Sequence, residues 1–97
     1  MVFSFLPFSI HVVKGHSMQP GLKEGDRVIV FKWAYLFSWP KAGDIIVFDS
    51  NSEKYVKRVA AVAKSGELVV EGDNRNDSRK LPPVKKNAVI GRVVGKY

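Results

Sequence analysis

"KYVKRVAAVA" (residues 54–63) reads as a β-strand: it is rich in β-branched and small apolar residues and has no helical periodicity. A period of two places Tyr55, Val59 and Ala61 on one face and Val56, Ala60 and Val62 on the other. Both faces are largely apolar. Lys57 falls on the first and Arg58 on the second, so at least one cation is drawn into a partly desolvated site.

Outward from this strand the same texture repeats. "FSIHVV" (8–13), "DRVIVF" (26–31), "DIIVF" (44–48), "ELVVEG" (67–72) and "NAVIGRVVGKY" (87–97) read as strands. "KEGD", "PKAGD", "DSNSE", "KSGE", "GDNRND" and "LPP" read as the turns between them. "GHSMQPGL" has room for one helical turn, and "KWAYLFSW" for a short helix or a hairpin extension. There is no internal repeat, linker or glycine-rich phosphate loop. The expected fold is a single, small, mostly antiparallel β domain over residues 1–97.

Composition narrows the function classes. The chain has 97 residues, 45% hydrophobic and 26% charged, as expected of a folded domain. Its net charge of +7 favours an anionic partner such as a phospholipid surface, an acidic protein or nucleic acid. No cysteine is present, which removes disulfides and thiolate metal sites. Two histidines without a carboxylate cluster at ligand spacing argue against a metal centre, and no cofactor is expected. "MVFSFLPFSIHVV" (1–13) is apolar but shorter than the roughly 20 residues of a spanning helix, and Pro7 and His11 interrupt it. Residues 1–11 are therefore expected to form an apolar lead-in, a vestigial membrane attachment.

"GHSMQPGLKEGD" (15–26) places Ser17 inside a turn, beside an apolar Met18. A serine hydroxyl needs a positioned base to become a nucleophile. His16 is its neighbour in sequence and points to the other side of an extended segment, while His11 sits in an apolar strand. Lys57 is the alternative. A lysine against apolar neighbours is less readily protonated and serves as a neutral amine base. Snorkelling from a strand edge is the ordinary fate of such a lysine, and composition alone favours it. In "EGDNRNDSRK" (71–80) the mixed charges suit either a solvated loop or carboxylate–guanidinium pairs that pin the base strand, for example Asp73 to Arg58.

Three segments in this order, "GHSMQPGLKEGDRVIV", "GDIIVF…YVKRV" and "GDNRNDSR", resemble the serine, lysine and GDN-DSR boxes of type I signal peptidases. The resemblance runs from about Val12 to Tyr97. It implies a small antiparallel β-barrel or ribbon of the signal peptidase catalytic-core type, with Ser17 as nucleophile and Lys57 as general base. It also implies that Val13, Met18, Leu22, Tyr55 and Val56 line apolar pockets for small side chains. Arg58, Asp73, Asp77 and Arg79 become structural support. The extended substrate, with small residues at the cleavage site, would lie beside Val12–Gly15 and Tyr55–Lys57 by strand addition. Gly15 stands where family members sometimes carry an oxyanion-stabilising hydroxyl, and the GDN-DSR box is shorter than usual.

Net charge and the aromatic tract point to an anionic membrane surface as partner, and the resemblance implies the plasma membrane with the catalytic domain on the extracytoplasmic side. A soluble maturation peptidase of the nickel superoxide dismutase type, in the cytoplasm, is the alternative within the same chemistry. An inactive paralogue is a further alternative. From another class, a basic β-barrel nucleic-acid-binding module would announce itself by salt-sensitive oligonucleotide binding without cleavage. Nucleic acid is not the expected partner. "FKWAYLFSWP" (31–40) divides evenly between a cap on the core and an interfacial aromatic patch.

Overall fold

The computed structural model describes residues 6–77 and 81–97. Six strands form: β1 (Phe8–Val12), β2 (Arg27–Phe31), β3 (Ile45–Ser50), β4 (Glu53–Val62), β5 (Leu68–Glu71) and β6 (Val89–Lys96). They make one sheet in the order β1-β2-β6-β3-β4-β5, every neighbouring pair antiparallel. All six strands lie where the β-branched runs place them. Single 3₁₀ turns at Arg75–Asp77 and Lys86–Ala88 are the only helical elements among the described residues.

The sheet is open, with β1 and β5 as its edges, so the barrel expectation is corrected. Curvature arises at three register shifts, Ile29/Val30, Val47/Phe48 and Val59/Ala61, because an extra residue on one strand of a pair bends it. Gly91, in the central β6, makes this coiling possible. A Cβ there would stand 2.5 Å from the carbonyl oxygen of Phe31 and 2.7 Å from a Val30 methyl. Only glycine lets β2 approach so closely.

Coiling gives both faces of the sheet a core. Val13, Met18, Leu22, Val28, Val30 and Val47 form one cluster, with Val56 packed against it. Ile46, Phe48, Val59, Leu68, Val70 and Val84 form the other, with Tyr35, Tyr55 and Leu81 at its margin. The β3–β4 hairpin closes through Asn51 and Ser52, both left-handed (φ 51° and 66°), the conformation of a two-residue primed turn.

"KWAYLFSW" is neither helix nor hairpin but a run of turns between β2 and β3. Its side chains diverge. Tyr35 turns inward and donates to Asp44 Oδ2 at 2.6 Å, whereas Phe37 is 99% exposed. Trp39 Nε1–H donates to the Gly66 carbonyl at 3.3 Å and its ring lies under the Lys86 ammonium. No helix among the described residues is long and apolar enough to cross a membrane.

Candidate active site

Ser17 sits in the connection leaving β1, and hydrogen bonds tie the ends of that connection together. Val13 N–H donates to Asp26 O at 2.8 Å and Gly25 N–H to Val13 O at 2.9 Å. One hydrogen-bonded turn forms inside it, closed by Leu22 N–H to Met18 O at 3.0 Å. Met18 and Leu22 are driven into the core beneath, which fixes the loop by its apolar residues and leaves Ser17 half-buried at the surface. Gly15 takes a left-handed φ of +78°, the bend that turns the chain out of β1.

Lys57 lies mid-strand in β4, opposite Ile46, and shares its face with Tyr55, whose ring stacks on Phe48. Only 6% of it is exposed. Its amine donates to Ser17 Oγ at 2.7 Å across 40 residues of sequence. Both histidines are engaged elsewhere. His11 bonds Ser9 Oγ at 3.0 Å, and burial followed by the nearby Lys54 charge pushes its pKa down. His16 bonds the Gln19 amide at 2.9 Å and faces Glu24 at 3.6 Å.

Arg58, on the opposite face of β4, grips Asp73 with two bonds of 2.9 and 2.8 Å and donates to Gly43 O at 2.7 Å. The guanidinium bond holds the Asp73 carboxyl below the usual carboxylate range. Asn74, next in the chain, reaches the serine loop: its backbone N–H donates to Ser17 O at 2.7 Å, its side-chain amide to His16 O at 2.9 Å. Adjacent residues of β4 therefore hold Ser17 from two sides, Lys57 directly and Arg58 through Asp73 and Asn74.

Beside Ser17 runs a groove of about 310 Å³. One wall is residues 13–18 and the other residues 53–57, and Leu81 also lines the groove. Val13, Met18, Tyr55 and Val56 are among its lining residues. Leu22 is not; it is packed in the core beneath. The Asp77 side chain and Arg79 lie outside the described residues. Asn74 and Leu81 were not singled out from sequence, although Asn74 belongs to the GDN box. No group of three His, Cys, Asp or Glu side chains suited to a metal occurs among the described residues.

Residues 1–64 match the family described as signal peptidase, peptidase S26. The chain belongs to that family. It is 35% identical over 96 residues to signal peptidase I of Bacillus caldolyticus, covering 93% of this chain and 53% of that protein. To the inactive signal peptidase IA of Staphylococcus aureus it is 40% identical over 71 residues, 71% of this chain and 40% of the relative. Signal peptidase IB of the same species is 35% identical over 74 residues, 69% of this chain and 39% of the relative. This family member thus spans about half the length, or less, of these relatives.

Proposed function

We propose that the chain is a serine endopeptidase with a Ser17–Lys57 dyad that removes signal peptides from exported preproteins. The observation that carries this reading is the 2.7 Å contact between the buried Lys57 amine and Ser17 Oγ. Exclusion of water from an ammonium favours the neutral amine the reaction requires. In that state the Ser17 O–H proton passes to Lys57 as Oγ adds to the scissile carbonyl, with the Ser17 backbone N–H as an oxyanion donor. Collapse expels the new amine terminus, which takes the proton from Lys57, and leaves an acyl ester on Ser17. Lys57 then accepts a proton from water as it adds to the ester carbonyl, and collapse breaks the bond to Ser17 Oγ, which takes that proton back from Lys57 as the acid product leaves.

Substrate would add as an extended strand between the walls formed by residues 13–15 and 55–57, with small side chains directed at the apolar floor. An anionic membrane surface is the proposed setting. Exposed Trp33, Leu36, Phe37 and Trp39 stand near Lys32 and Lys41 in sequence, and Leu6, just before β1, and Phe8, its first residue, are exposed as well. Aromatic and basic side chains together suit an anionic interface.

The inactive staphylococcal relative favours a second reading, in which this chain keeps the fold without the chemistry. One experiment separates them: incubation with a signal-peptide-bearing preprotein in detergent, comparing the native chain with Ser17→Ala. Cleavage by the native chain alone supports the peptidase; no cleavage by either supports the inactive form.

A further inference from the structure

The groove beside Ser17 has an apolar floor and a charged rim. Val13, Met18 and Val56 lie low in it, all packed with the core. Lys14 and Lys54, both exposed, stand on opposite walls. Lys54 lies 3.5 Å from Asp49 in a pair exposed on both sides, which solvent leaves weak and exchangeable. The carboxylate on this rim, Glu53, already accepts the Tyr55 hydroxyl at 3.0 Å. Two exposed lysines against that one carboxylate leave the rim net positive, and so suited to negative charge.

Side chains of an extended peptide alternate in direction. Val13 is buried and Lys14 exposed, so the first wall alternates in the same way. A peptide paired along it sends every second side chain to the floor and the intervening one to the rim. We propose that Lys14 and Lys54 select an acidic side chain at that intervening position, so that the preferred substrate segment reads small–acidic–small. The inference rests on the peptidase reading of the groove, and deepens it by naming a specificity that the apolar floor cannot supply.

The test separates binding from chemistry. The Ser17→Ala chain is titrated with three fluorescent peptides that differ only at the centre of Ala-Glu-Ala, Ala-Gln-Ala or Ala-Lys-Ala, and anisotropy is read at low and high salt. The Glu peptide is expected to bind about threefold to tenfold more tightly than the Lys peptide, the scale of exposed cross-strand charge pairs. High salt should compress that ratio. Lys14→Glu with Lys54→Glu should flatten or invert it, with circular dichroism confirming the fold. Equal affinities, or a preference for the Lys peptide, overturn the selection while leaving the peptidase reading intact. If none of the three binds and the native chain cleaves none, the peptidase reading fails, and this inference fails with it.

Discussion

The backbone N–H of Asn74 donates to the carbonyl of Ser17 at 2.7 Å, and its side chain spans to His16. Asn74→Ala keeps the first bond and deletes the second. Loss of one bond of about 1 kcal/mol is expected to loosen the Ser17 loop and, on the proposed mechanism, lower kcat roughly tenfold, since misplacement costs rate steeply. Melting temperature should fall by about 5 °C, the shift that about 1 kcal/mol produces in a domain this size. Steady-state kinetics beside a thermal melt read both; unchanged kcat would show that the amide bond does not position Ser17.

Ser17→Ala and Lys57→Met should each abolish detectable cleavage. On the proposed mechanism the first removes the attacking atom. The second keeps the buried volume of β4 but removes the base, a loss of about 10²–10⁴ in rate. Activity in Ser17→Ala above that of a mock preparation would exclude Ser17 as nucleophile.

Acid should weaken the fold through Asp73. The Arg58 guanidinium lowers its folded pKa from the ordinary 3.8. A depressed carboxylate contributes stability that is full above the unfolded value and lost as pH falls through the folded one. Asp73→Asn should therefore melt lower than the native chain near neutral pH, with the gap closing as pH drops well below 3.8. A gap independent of pH would mean that the pair's charge contributes nothing.

Tyr35→Phe should destabilise the chain by about 1.5–3 kcal/mol, the worth of a hydrogen bond to a charged acceptor. In a domain this size that is a fall of roughly 10 °C in Tm. Burial, then the Asp44 carboxylate, push the Tyr35 phenol far up, so it stays a donor to Asp44 from neutral into alkaline pH. A melt within a degree of the native one would refute this.

Anionic vesicles should blue-shift tryptophan emission, and Trp33→Ser should reduce the shift. Trp33 is a cleaner probe than Trp39, whose indole is already held by Gly66 and Lys86. An unshifted spectrum, with no co-sedimentation, would remove the membrane-surface proposal.

Strand positions and the two faces of β4 were legible in the sequence because a period of two is local: Lys57 lies with Tyr55 and Val59, Arg58 on the reverse. The turn at 49–53 was legible for the same reason. The path of residues 32–39 was not, because two distant partners decide it, Asp44 for Tyr35 and Gly66 for Trp39. The motif order indicated a serine and a lysine that belong together, and composition by itself favoured an ordinary surface lysine.

What the sequence by itself determined is therefore the strands, their faces and the family's boxes, all written in short-range alternation and spacing. Only the tertiary structure decided that the sheet stays open, that Leu22 belongs to the core, and that Asn74 bridges to the serine loop. Each of these depends on strand order and on contacts between residues far apart in the chain, such as Ser17 and Lys57, 40 positions apart. Such contacts form when coiling at Gly91 and the three bulges brings the two faces of the sheet onto separate cores. No local pattern specifies that curvature, because it is the joint result of packing across six strands.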